Sequence, residues 1–352
     1  MQRDLILQWD STDQCNLKCR HCYHKYSDNK FSGLDSSMSF LEVKSMLDDM
    51  NNLATQWSLN PRFQVSGGEA LLRKDIYSII EYATSNGIVT RVLTNGTLLD
   101  IESAKKLASL NLDGIQISID GSEEKHDFIR NCQGAYKRSM AGIKNARSYG
   151  IDVTVSMTAM KSNSGDLEDV IKNSISSGAN FLGFQSYVPN PKQGANDEEY
   201  LGPEETYHLF LETERLKEKY GDKISILQGE VLWNLRMRDD DLKKKSREEM
   251  KFLGGCSAGY FSLSVLSNGD VYPCRRLPIK IGNIKEGIKK LILEPEVMQN
   301  LRNLNQLKKN SDCDMVTHCR GCRAVAYAIT GDYMAKDPMC FKHFMMEKQN
   351  GH

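Results

Sequence analysis

Neither sign of charge is in excess in this sequence: 46 lysines and arginines face 46 aspartates and glutamates across 352 residues. That balance gives no reason for a broad nucleic-acid-binding face. No apolar run approaches the length needed to cross a bilayer; Ile115–Ile119, typical of the longest, is broken by Gln116 and Ser118. The N-terminus, MQRDLILQWDSTDQC, has neither the apolar core nor the small-residue cleavage site of a signal peptide. There is no low-complexity tract. These absences predict a cytoplasmic chain without nucleic-acid or membrane partners. At 40% hydrophobic residues it is too apolar to be disordered, and its length leaves room for two or three domains.

Cysteine is present in unusual number, ten in all. A reducing cytosol disfavours structural disulfides, so metal binding or redox chemistry is expected instead. Cys15, Cys19 and Cys22 form one group and Cys132 stands alone. The other six are Cys256, Cys274, Cys313, Cys319, Cys322 and Cys340.

From residue 4 to about residue 187, strand-like and helix-like segments alternate. The strand candidates are Leu5–Trp9, Arg62–Val65, Ile88–Thr94, Gly114–Ile119, Ile151–Thr158 and Asn180–Ser186, short runs bounded by turn residues. Between them, Ile76, Ile79, Ile80 and Ala83 recur at helical steps, as do Leu167, Val170, Ile171 and Ile175. Asn86-Gly87, Tyr149-Gly150 and Ser177-Gly178 each end a helix before a strand. Repeated β–α units predict an α/β fold with a parallel sheet, whose ligands collect at the carboxyl ends of the strands. Three regions follow: a core over 1–200, a helical and charged linker over 201–252, and a cysteine-rich domain over 253–352. Arg236–Lys251 mixes charges densely and reads as a solvated connector. Asn268-Gly269, between alternating residues, predicts a hairpin. The tail beyond Asp312 reads as a small unit held by metal rather than by a core.

Cys15-x3-Cys19-x2-Cys22 follows directly on the first strand. Three thiolates so close suit one soft centre, and the missing fourth ligand suits an iron–sulfur cubane with one open iron. A zinc site completed by His21 or His24, or plain core cysteines, are the alternatives. Ser66-Gly67-Gly68-Glu69 ends the second strand, Thr94-Asn95-Gly96-Thr97 the third and Ser118-Ile119-Asp120-Gly121 the fourth. Each could be only a turn. Together, all at strand ends, they suit a ligand with an amine, hydroxyls and a carboxylate.

This combination resembles the radical S-adenosylmethionine (SAM) superfamily over about residues 5–190. The resemblance implies a partial (β/α)6 barrel, with a [4Fe-4S] cluster on Cys15, Cys19 and Cys22. It implies that Gly67, Gly68 and Glu69 hold the methionine amino group of SAM. Asn95, Ser118 and Asp120 fall where the ribose and carboxylate are contacted. His126-Asp-Phe-Ile-Arg130 resembles a following segment, which adds Arg130 to the cofactor-binding set. Thr158 and Gly183 stand where the adenine would be contacted. Cys132 is either a small buried filler or a hydrogen-atom donor near the rim.

The second cysteine set resembles the SPASM extension over about residues 253–345, through Cys256-x12-Gly269-x4-Cys274 and Cys319-x2-Cys322 to Asp337-Pro-Met-Cys340. The alternatives by spacing are zinc ribbons or buried thiols. The resemblance implies auxiliary [4Fe-4S] clusters, with Cys256, Cys274 and Cys322 on one and Cys313, Cys319 and Cys340 on another. Two are favoured over one, with Asp312, Asp314 or His318 filling in on the second. Auxiliary clusters suit oxidative modification of a peptide or protein side chain, fed by a low-potential flavodoxin- or ferredoxin-type donor. Only 14 residues precede Cys15, so leader recognition would fall to a separate partner or to the C-terminal domain. The alternative substrate is a small molecule, a tetrapyrrole of the modified-haem kind, whose side chains would be edited. A non-catalytic iron–sulfur sensor or scaffold is the reading from another class.

Overall fold

The first strand alternates in burial, with Leu5, Leu7 and Trp9 fully enclosed, and it pairs with a neighbour on each side, which places it inside a sheet rather than at an edge. The structure is a computed structural model and describes residues 3–25, 37–227, 229–236, 254–311, 313 and 315–350. Its strands are β1 (Asp4–Asp10), β2 (Asn60–Ser66), β3 (Val89–Thr94), β4 (Gly114–Ser118), β5 (Val153–Ala159), β6 (Phe181–Ser186), β7 (Ser225–Leu227), β8 (Ser262–Val265), β9 (Asp270–Tyr272) and β10 (Gly282–Asn283). All six predicted strands are present. They form one open sheet in the order β10-β9-β8-β1-β2-β3-β4-β5-β6-β7. β1 to β7 run parallel in chain order, which is the partial-barrel arrangement.

Helices fill the crossovers: α1 (Phe40–Trp57), α2 (Ile76–Ser85), α3 (Ile101–Ala108), α4 (Glu123–Arg130), α5 (Ala135–Ser148), α6 (Leu167–Ser176) and α7 (Pro203–Tyr220). α1 begins with a reciprocal capping box between Ser39 and Glu42. Ile76, Ile79, Ile80 and Ala83 of α2 are buried on the sheet, as are Leu167, Val170 and Ile171 of α6. Gly87, Gly150 and Gly178 take φ of +75°, +76° and +82°, the left-handed turn that brings each helix back into a strand.

The hairpin at Asn268-Gly269 is present, β9 running antiparallel to β8. β8 also lies parallel beside β1, so the C-terminal segment extends the core sheet. The charged stretch 237–251 lies outside the described residues. The tail is more buried than its fading periodicity predicts, because it packs on the body of the chain. Phe341 is fully buried against Phe210 of α7 (5.2 Å between ring centroids) and Trp233 (6.0 Å).

Candidate active site

β1 ends at Asp10, and the chain then crosses the carboxyl end of the sheet as the loop carrying Cys15, Cys19 and Cys22. Two glycines of β2's following turn let this loop lie flat. A Cβ on Gly68 would overlap the Gln14 carbonyl, and one on Gly67 (φ +144°) would come within 2.8 Å of the Thr12 carbonyl. Instead the N–H groups of Gly68 and Glu69 donate to the carbonyls of Thr12 and Gln14, both at 2.8 Å. The Gly-Gly-Glu turn is therefore a cradle for the cysteine loop as well as a rim residue set.

Glu69 is itself only 1% exposed. Its carboxylate accepts from the Thr94 hydroxyl (2.6 Å), the Asn95 N–H (2.9 Å) and the Leu71 N–H (3.2 Å). Burial pushes its pKa up against those three donors. Asn95 continues the chain of contacts: its side-chain amide donates to Asn16 Oδ1 at 2.9 Å, one residue from Cys15. The polar residues at the ends of β2 and β3 thus align the loop that carries the thiols, a role their strand-end position alone does not disclose.

The end of β4 does the same for Cys19. Asp120 is fully buried and meets Arg130 Nη2 at 2.6 Å, while Arg130 Nη1 donates to Cys19 Sγ at 3.7 Å. Burial opposes the Asp120 charge, but Arg130, His21 and His126 outweigh it and hold the carboxyl below its usual range. Burial likewise opposes the Arg130 charge, which Asp120 and Cys19 restore and raise. An N–H donor at a cluster sulfur is one of the protein's means of setting a cluster potential. Burial, with Glu69 adding to it and the Leu17 N–H opposing it, pushes the Cys15 thiol up to about 12, so a thiolate there calls for the positive charge of a bound centre.

His126 closes this corner by accepting the Asp120 N–H on Nδ1 at 3.1 Å. Burial, helped by Arg130, lowers its pKa from 6.5 to about 4. Between those values the unfolded chain binds a proton that the folded chain refuses, so stability is full above pH 6.5 and declines as pH falls toward 4. Urea unfolding is expected to lose about 2 kcal/mol between pH 7.5 and pH 5 relative to a His126→Asn chain, which keeps an acceptor but cannot titrate. Equal pH slopes for the two chains would refute this assignment.

The three cysteines face a cavity of about 780 Å³ at the carboxyl ends of the strands, also lined by Gly67, Gly68, Asn95, Ser118, Arg130 and Thr158. Glu69, Asp120 and Gly183 are not on its wall; the first two act from behind it. Cys132 lies outside it too, at the loop after α4, with Arg138 Nη2 3.2 Å from its sulfur. The rest of the wall includes the segment after β6 and the hairpin with the turn beyond it: Tyr187, Val188, Pro189, Leu266, Tyr272, Arg275, Arg276 and Pro278. Among the described residues the lining carries Lys18, Arg130, Arg275 and Arg276 against one carboxylate, Asp13. Arg275 and Arg276 escaped the sequence reading; their only signal is that they follow Cys274 directly.

The remaining cysteines gather in two sets. Cys256, Cys274, Cys322 and Glu230 lie within electrostatic reach of the Arg276 guanidinium. Cys313, Cys319 and Cys340 line a second cavity, of about 40 Å³, together with Asp337. Asp337 accepts from the N–H groups of Cys322 (2.6 Å) and Met339 (2.9 Å), and burial raises its pKa to about 6. His318 is buried beside Thr317 and is not on that cavity's wall, whereas Asp312 and Asp314 lie outside the described residues. Among the described residues no three His, Cys, Asp or Glu side chains close on a single metal ion. The donors nonetheless fit iron–sulfur centres chemically: soft thiols only, in threes, each set beside a buried arginine or a cavity.

Comparison with known proteins agrees with this geometry. Residues 9–173 match the radical SAM superfamily, and residues 256–323 match the SPASM iron–sulfur cluster-binding domain. The chain is 31% identical to the AdoMet-dependent heme synthase of Methanosarcina barkeri over 95% of each chain. It is 29% identical to the sporulation killing factor maturation protein SkfB of Bacillus subtilis, over 78% of this chain and 61% of that protein. The AdoMet-bound structure of anSMEcpe superposes with a TM-score of 0.74 at 21% identity, covering 98% of this chain and 96% of that one, which speaks for the fold. The chain therefore belongs to the radical SAM superfamily and carries an iron–sulfur SPASM domain at its C-terminal end.

Proposed function

We propose that this enzyme oxidatively edits a side chain of an iron tetrapyrrole. The observation that carries the reading is the similarity to a heme synthase over 95% of both chains. Five haem and porphyrin synthases match this chain more strongly than the peptide maturases do, so the tetrapyrrole alternative takes precedence over the peptide reading that the cysteine pattern first suggests. The cavity agrees: one wall is largely apolar and aromatic, suited to a macrocycle, and the lining is cationic, suited to its carboxylates.

When bound, SAM and the Cys15/Cys19/Cys22 cluster would supply a 5′-deoxyadenosyl radical, with the outer cysteine sets holding centres that remove the electron left after hydrogen abstraction. The chain's own part is to hold the pieces. The Gly67–Glu69 cradle and the Asn16–Asn95 contact fix the cysteine loop, and Arg130 fixes Cys19. Ser118 and Thr158 present small polar groups to the nucleoside, and the apolar wall keeps water from the reacting carbon. A flavodoxin- or ferredoxin-type donor supplies the electron in this reading.

The test is anaerobic incubation of the reconstituted protein with SAM, dithionite and iron coproporphyrin III, a porphyrin bearing propionate side chains. Expected are 5′-deoxyadenosine release stimulated by the porphyrin and a change in the porphyrin's mass. Release indifferent to the porphyrin, with its mass unchanged, overturns the reading. Stimulation by a short precursor peptide instead would support the maturase reading, which in turn requires leader recognition by a separate partner or the C-terminal domain.

A further inference from the structure

We infer that Arg275 anchors a carboxylate of the substrate on the cavity wall, where the turn after the hairpin meets the end of β6, an assignment that rests on the tetrapyrrole reading.

The position comes first. Arg275 follows β9 by three residues, yet its Nη2 donates to Gln185 Oε1 of β6 at 3.2 Å. The adjacent Arg276 donates to the Ser186 carbonyl, also at the end of β6, at 3.0 Å. The turn after the hairpin thus reaches from the β8 side of the open sheet to its sixth strand, passing over the carboxyl ends. Arg275 is held at a fixed place on the cavity wall rather than swinging from a surface loop.

Charge is the second point. Of the four cations on the lining, Arg130 is committed to Asp120 and Cys19, and Arg276 lies among three cysteines and Glu230. Lys18 is exposed. Arg275 is half-buried, and its partners are neutral: the Gln185 amide and the face of the Tyr23 ring, 5.8 Å from the guanidinium carbon. No carboxylate among the described residues pairs with it. A partly desolvated guanidinium without a counterion is unfavourable by itself, and a ligand carboxylate relieves that cost. One of its N–H donors is used by Gln185, which leaves the rest of the planar fork for a two-point contact with a carboxylate. Leu266, Val188 and Pro278 on the same lining offer apolar surface for the body of the molecule that carries the acid. SAM has a carboxylate too, but the strand ends expected to hold its amino and carboxylate groups are those of β2 to β4, with only its adenine reaching β5 and β6, whereas Arg275 is seated at the end of β6.

The test uses the anaerobically reconstituted holoprotein and two variants, Arg275→Gln and Arg275→Lys. Binding of iron coproporphyrin III is followed by the shift of its Soret band, and SAM affinity is measured separately. Loss of a charge-assisted contact predicts a porphyrin affinity weakened about 10- to 100-fold in Arg275→Gln, with Arg275→Lys intermediate because it keeps the charge but not the fork. Salt weakens binding to the wild type more than to Arg275→Gln. If the wild type binds the porphyrin and both variants bind it within about twofold, the Arg275 assignment falls while the tetrapyrrole reading stands. If Arg275→Gln weakens SAM instead, the residue belongs to the cofactor and the assignment also falls. A wild type that binds no porphyrin overturns both together.

Discussion

In a Cys15→Ala chain, 5′-deoxyadenosine formation falls by more than about a thousandfold while the fold survives, because groups that act as a unit lose nearly all activity with any one member. The structure separates this outcome from a packing role. Cys15 is half-buried beside Glu69, and its thiol is pushed up to about 12, an environment that gains nothing from a thiolate unless a cationic centre is bound. Trimming a cysteine kept for packing would cost stability and leave chemistry intact. Here the reverse is expected, with about four irons lost per chain and unfolding little changed. Iron analysis and low-temperature electron paramagnetic resonance on anaerobically prepared protein check it. Full iron content in the variant would refute the assignment, and zinc in the wild type would revive the alternative that the spacing of these cysteines also permits.

How much of this was legible in the sequence depends on how local the cause is. The six strands and their glycine stops were legible, since each needs only a short apolar run and one residue tolerant of positive φ. The early thiols were legible as a group for the same reason: all three lie within eight residues of chain. The addition of β8 beside β1 was not, because no periodicity records which edge a later strand will join. Asp120 and Glu69 were expected on the cavity wall, and both work from behind it. A carboxylate at a strand end looks the same in sequence whether it faces a ligand or a buried arginine. Arg275 was hidden for a further reason. Its place depends on Gln185, 90 residues away, and spacing says nothing about contacts across the mouth of a sheet.

Asp120→Ala is expected to destabilise the chain by about 3–5 kcal/mol, the penalty for stranding one member of a buried ion pair. Several groups lose a partner at once, His21 Nε2 at 3.8 Å among them. Arg130 keeps its charge with no carboxylate at 2.6 Å, and the Thr158 N–H loses the Oδ1 acceptor it holds at 3.0 Å. Removing the arginine as well should recover part of the loss: in Asp120→Asn with Arg130→Met the buried charges disappear together and the amide still offers Thr158 an acceptor. A double-mutant cycle on these two positions is therefore expected to show coupling of at least about 1 kcal/mol, and additive effects would refute the pairing. The pH dependence carries its own sign. The Asp120 carboxyl is held below its usual 3.8, so its contribution is present above that value and disappears as pH falls through the folded-state value. The gap between wild type and Asp120→Ala should thus be widest near neutrality and close on the acid side, below the window in which His126 titrates. Because Arg130 also donates to Cys19, the same substitution lets the arginine's charge act on the cluster sulfur alone. The potential of the Cys15/Cys19/Cys22 centre is then expected to rise relative to the wild type, which redox titration of the reconstituted Asp120→Asn protein would read directly.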